Sequence, residues 1–159
     1  MILDVRFEPD LGKVVLANIG ALGKELPKAV NKGLSRVAMG VHRAAFDWLS
    51  GPGAKASNVP GGGFPVPVRT GHLRRSLDWV APGKTKSGNG DTFTAGPDEV
   101  IIYNSASYAL AVHDGKGSSR PYGPRAFLDK AFEEFLQSGK ALAISEDEVQ
   151  KAIDAKGLG

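Results

Sequence analysis

The stretch Leu26 to Leu49, LPKAVNKGLSRVAMGVHRAAFDWL, decides the architecture. Leu26, Val30, Leu34, Val37, Val41, Ala45 and Trp48 recur at steps of three and four. That spacing lays one apolar stripe along a helix of about six turns. Pro27 sits near the start, where its missing N–H leaves no bond unmade. Lys28, Lys32, Arg36 and Arg43 fall on the polar sides, and Gly51-Pro52-Gly53 stops the helix. A stripe of this length needs a sheet or other helices to cover it.

Upstream, Met1 to Phe7 reads as a short strand, because Leu3, Val5 and Phe7 alternate with Asp4 and Arg6. Downstream, the glycine- and proline-rich stretch 51–68 reads as a long flexible loop. Thr70 then suits the N-cap of a short helix over Gly71 to Leu77, with Leu73 and Leu77 inward and Arg74 and Arg75 outward. Asp78 to Ala81 and Thr92 to Asn104 read as strands, the second holding the run Val100-Ile101-Ile102-Tyr103. The polar segment 82–91 between them reads as a hairpin loop.

Ser105 to Asp114 reads as a short helix with Tyr108, Ala111 and Val112 on its inner side, closed by Gly115. A further loop covers 115–123. Pro124 to Leu136 is a helix with Phe127, Leu128, Ala131, Phe132 and Phe135 as its stripe. Glu146 to Lys156 is helical by propensity but weakly apolar, and reads as a loose tail. The expected fold is α+β: a small antiparallel sheet packed against one long helix and shorter helices. One domain is expected over 1–140, with a C-terminal tail over 141–159.

Composition narrows the function classes. The 159 residues are 42% hydrophobic and 23% charged, as in a single globular domain able to bury a core. There is no cysteine, which removes disulfides and thiolate metal sites. No apolar run approaches the roughly 20 residues that span a bilayer, and Met1 to Asp10 lacks the pattern of a secretory signal. A net charge of +3 is too small to mark a nucleic-acid binder by itself.

Motifs of catalysis are not expected here. His42, His72 and His113 are not spaced as a metal pair, and His42 reads as lying on a polar helix face. Gly61-Gly62-Gly63 lacks the lysine of a phosphate loop. Glu133-Glu134 and Glu146-Asp147-Glu148 are explained as solvated helix faces. The basic set Arg69, Arg74 and Arg75, with Lys84 and Lys86, could neutralise DNA phosphates without reading sequence. A protein-interface rim enriched in arginine accounts for the set better. No catalytic residue, cofactor or metal is expected.

Two stretches carry a resemblance. One is Pro65-Val66-Pro67-Val68-Arg69-Thr70-Gly71-His72-Leu73-Arg74-Arg75-Ser76-Leu77. The other runs from Val100 through Tyr103, Tyr108 and Asp114-Gly115 to Arg120-Pro121 and Arg125-Ala126-Phe127-Leu128. In that order they resemble the tail-completion and head–tail joining proteins of tailed bacteriophages, small neck or minor tail proteins. That family carries a Thr-Gly-x-Leu-Arg-x-Ser segment, a strand leading to a tyrosine and an acidic residue before glycine, and Arg-Pro-Phe-Leu opening a helix. This chain has Asp114 where glutamate is frequent, and parts Arg120-Pro121 from Phe127-Leu128.

The resemblance implies a structural virion protein, a ring-forming subunit made in the host cytoplasm and placed in the neck or tail. Its implied partners are copies of itself, connector and neck proteins, tail tube or terminator proteins, and DNA passing non-specifically through the lumen. The implied assembly residues are Arg69, Thr70, Gly71, Leu73, Arg74, Arg75, Tyr108, Gly115, Arg120, Pro121 and Phe127. The competing reading is a non-specific DNA-binding module using Arg69, Arg74 and Arg75.

Overall fold

The computed structural model describes residues 2–6 (backbone), 23–50, 71–115 and 125–155. The long helix α1, Leu26–Trp48, is where the periodicity puts it. Leu26, Leu34, Val37, Val41 and Ala45 of its stripe are buried, while Val30 and Trp48 are half-buried. Its last turn closes on Leu49, whose N–H reaches the Ala45 carbonyl.

Three strands form the central antiparallel sheet: β1 (Ile2–Arg6), β2 (Leu77–Val80) and β5 (Glu99–Asn104), in the order β1-β5-β2. β1 pairs with β5 from Ile2↔Tyr103 to Arg6↔Glu99, and β2 pairs with β5 from Leu77↔Asn104 to Val80↔Ile101. Successive side chains of a strand point to opposite faces. Val100 and Ile102 therefore enter the core under the helices, while Ile101 and Tyr103 enter a second cluster on the other face. Both faces are covered, so four consecutive apolar residues of β5 are all buried.

The second face is covered by a hairpin, β3 (Thr85–Gly88) and β4 (Asp91–Thr94). This corrects two expectations. The segment 82–91 holds a strand, and Thr92 to Asn104 is two strands parted by a turn near Pro97. The hairpin turns on Asn89 and Gly90, both at positive φ (49° and 89°), as a tight two-residue turn requires. Thr85 and Thr94 share a cross-strand hydroxyl contact of 3.0 Å, and Ser87 and Thr92 one of 3.4 Å. Phe93 stacks on Tyr103 with ring centroids 3.9 Å apart, which fastens the hairpin to the sheet. Lys86 also reaches the Asp78 carboxylate of β2 at 2.8 Å.

The helix expected over 71–77 is one turn, α2 (His72–Arg75). Leu77 is buried as expected, but as the first residue of β2, whose pairing with Asn104 takes it out of the helix. The helix expected from Ser105 shortens to α3 (Ala109–Asp114). Its buried residues are Ala109 and His113, and Tyr108 stands before it, 40% exposed rather than inward. His42, expected on a polar face, is half-buried, and its Nε2–H donates to the Leu77 carbonyl at 3.2 Å.

The last two helices lie against α1. In α4 (Phe127–Gln137), Phe127, Leu128 and Ala131 are fully buried. Phe127 and Leu128 each contribute about 1.5–3 kcal/mol relative to exposure. The stretch expected to be helical over 146–156 lies largely within α5 (Lys140–Asp154), which packs on the core through Ala141 where a loose tail was expected. Only Ala141 and Glu148 of α5 are buried. Glu148, 4% exposed and expected on a solvated face, receives Lys32 at 2.8 Å and the guanidinium of Arg36, with Lys151 at 3.6 Å. Arg36 also holds Asp147 at 2.6 Å. The expected loops 51–68 and 116–123, and Pro124, lie outside the described residues.

Candidate functional site

The sequence motifs that carry the resemblance converge at one end of the sheet. Gly71 opens α2 at φ +69°, a left-handed conformation that side chains resist. A Cβ there would also come within 3.1 Å of Arg75 Nη1. Leu73 packs on the core, and its carbonyl accepts from Asn104 Nδ2 at 2.7 Å. Asn104 Oδ1 accepts from the Ala106 N–H at 3.0 Å. The Ser105 N–H donates to the Ser76 carbonyl at 3.0 Å, and Asn89 Nδ2 donates to the Ser105 carbonyl at 2.6 Å. Asn104 thus ties the first motif to the second from a site only 4% exposed.

The third piece joins through the backbone. The Arg125 N–H donates to the carbonyls of His113 (2.9 Å) and Val112 (3.2 Å). Phe127, fully buried, meets the His113 ring edge-on at 5.6 Å. His113 Nδ1 lies 2.9 Å from Asp114 Oδ1, and Nε2 lies 3.5 Å from Asp129 Oδ2. Gly115 ends α3 at φ +69°, the left-handed cap expected of it.

The outer rim of this cluster is made of His72, Arg75, Tyr108 and Leu110. Tyr108 and His72 pair with ring centroids 5.9 Å apart, and Leu110 is exposed. Arg74 does not project freely. Its guanidinium sits 5.0 Å from the Phe46 ring centroid, and Nη1 is 3.4 Å from Ser50 Oγ. Lys86 is held by Asp78, so two members of the basic set are engaged within the fold. Burial works against the Asp78 carboxylate, yet Lys86 and the Trp79 N–H hold its pKa below the usual range. Burial, with the Asp78 charge beside it, raises the Tyr103 phenol.

Gly71, Leu73, Arg75 and Tyr108 thus lie around the contact of the first motif with the second, while Gly115 and Phe127 lie where the third joins α3, and Arg74 turns to α1. Arg69, Thr70, Arg120 and Pro121 lie outside the described residues. Sequence reading missed Asn104, His113 and Asp129. A polar residue ending an apolar strand was the available signal for Asn104. Among the described residues, no group of three or more His, Asp or Glu is placed to hold a metal ion. No described helix is long and apolar enough to cross a membrane.

An open depression of about 420 Å³ lies apart from this junction, lined by Trp48, Lys130, Glu133, Glu134, Gln137 and Ser138. Its walls satisfy one another. Trp48 Nε1 donates to Glu134 at 2.9 Å, and the Lys130 ammonium lies 5.0 Å from the Trp48 ring centroid. No protein-family model, curated protein or solved structure matches the chain.

Proposed function

We propose that this chain is a structural virion protein of a tailed bacteriophage, a ring-forming subunit of the neck or tail end that serves tail completion and head–tail joining. The observation that supports this reading best is the convergence of the three motif pieces. They lie apart in sequence, yet Asn104, Ser105 and Arg125 stitch them together through backbone carbonyls. Motif residues that fix a scaffold junction are what an assembly protein needs, since its work is to present a surface of defined shape to neighbours.

The mechanism is assembly. A sheet covered on both faces resists deformation, because packed cores yield little to strain. The rim at the junction supplies Arg75, Tyr108 and Leu110, residue types suited to protein contacts. Neighbouring copies and the proteins of the connector and tail tube would meet such rims.

The test is electron microscopy of particles made by the parent phage with this gene deleted. Filled heads beside free or misassembled tails are expected. Normal infectious particles would overturn the proposal.

A further inference from the structure

Two residues, Ser138 and Gly139, separate α4 from α5, and only one of them leaves helical conformation. Ser138 is still right-handed, at φ −68° and ψ −10°, and its N–H reaches the Glu134 carbonyl as in a continuing helix. Gly139 alone departs, at φ +72° and ψ −3°. A Cβ on Gly139 would meet nothing within 4 Å, so backbone conformation and not space selects glycine there. With Gly139 turned right-handed, α4 and α5 become one helix from Phe127 to Asp154, about 40 Å long. That rotation carries α5 off its own α1.

The seat left behind on α1 is specific. At Gly33 the helices approach closely, the site of a Cβ lying 3.5 Å from the Cα of Ser145. One turn along, Lys32 and Arg36 receive Glu148, and Arg36 also receives Asp147. α5 brings one small core side chain, Ala141, the half-buried Ile144 and the buried Glu148 to this seat, so its hold on α1 is less apolar than that of α4. Every copy carries both the seat and the helix that fits it.

We infer that α5 exchanges between copies: α4 and α5 fuse through Gly139, and the α5 of one chain docks on the α1 of a second, which returns its own. The contacts in the exchanged dimer are those of the closed monomer, and only the hinge differs. The occupant of the seat is a second copy of this chain, and the inference holds whether or not the chain serves in a virion.

Gly139→Ala tests it, because an L side chain disfavours the left-handed hinge. The dimer association constant should rise by about fivefold per hinge, roughly 25-fold for two hinges. Light scattering should find a mass twice the 16.7 kDa monomer. A second measurement locates the contact. The chain has no cysteine, so a Gly33→Cys chain mixed with a Ser145→Cys chain, both carrying Gly139→Ala, can form only introduced disulfides. The approach at Gly33 suits the Cα separation of a disulfide, about 4.4–6.8 Å.

A covalent dimer of one chain of each kind, absent from either chain alone, is expected. The same cysteine pair at high concentration without Gly139→Ala serves if that variant does not fold. A Gly139→Ala chain that stays monomeric overturns the inference. So does a dimer that forms no cross-link, since its copies would then meet through another surface.

Discussion

Helices α4 and α5 rest on the same long helix and are held in different ways. α4 is held by volume. Phe127, Leu128 and Ala131 have no exposed surface, and the Phe135 ring fills the space where Gly40 lacks a side chain. α5 brings fewer apolar contacts, Ala141 and Ile144, and adds one buried carboxylate ringed by Lys32, Arg36 and Lys151. Apolar packing is insensitive to pH and costly to remove at any single point. An ion cluster is sensitive to pH and can open as a unit. The contrast separates a part of the molecule that must stay from a part that can leave.

The largest expected effect breaks the first side of the contrast. Phe127→Ala should cost about 3–5 kcal/mol, because it leaves a cavity where α3, α4 and the sheet meet. Urea unfolding should show the loss across the whole domain. A loss confined to α4 would mean that α4 is not integral to the core.

A smaller pair of effects compares the two seats on α1. A Cβ at Gly40 would lie 2.3 Å from the Phe135 ring, whereas one at Gly33 makes only ordinary contact with Ser145. Gly40→Ala should destabilise by about 1 kcal/mol, the ring's displacement outweighing the gain in helix propensity. Gly33→Ala should stabilise by up to about 1 kcal/mol from propensity alone. Thermal melts of the two variants should move in opposite directions, and equal shifts would erase the distinction between a site that is filled by the Phe135 ring and one with room for a methyl group.

The smallest effect on global stability is set by pH. Lys32 foremost, and Arg36 with it, hold the Glu148 carboxyl below its usual range against the cost of burial. Lys151 and Arg36 do the same for Asp147. Carboxyls lowered in the folded state stabilise above their unfolded pKa, about 4, and lose that contribution as pH falls through the folded value. Amide protection, taken relative to the intrinsic exchange rate at each pH, should therefore fall in α5 on acidification below pH 4, before it falls in α1 or α4. Glu148→Gln should remove most of that dependence. Uniform exchange along the three helices would merge them into one cooperative unit.

The same contrast explains what the sequence made legible. α1, the core of α4 and the run of β5 were readable because apolar residues at helical or strand spacing report burial directly. The helicity of Glu146 to Lys156 was legible from propensity, but the docking of α5 was not, since its central buried group is the charged Glu148 and hydropathy assigns carboxylates to solvent. β3 was missed for a similar reason. Its four residues are Thr-Lys-Ser-Gly, paired by hydroxyls, and the apolar anchor Phe93 lies on the other strand. Leu77 kept its expected burial but changed element, because a spacing of four from Leu73 suits both a second helical turn and the start of a strand. At the motif junction, Gly71 and Gly115 were legible from their turn chemistry. Asn104 and Arg125 were not, because their roles lie in bonds to carbonyls distant in sequence.

The pairing of β1 with β5 has a consequence for how the chain is made. Ile2 and its partner Tyr103 are about a hundred residues apart. Joining them closes a loop of about a hundred residues, while β3 and β4 close theirs over a two-residue turn. On the ribosome the hairpin can form within moments of emerging, but β1 must wait until β5 has been synthesised. Of the described strands, β1 precedes the others in the chain yet can pair only after β5 has emerged.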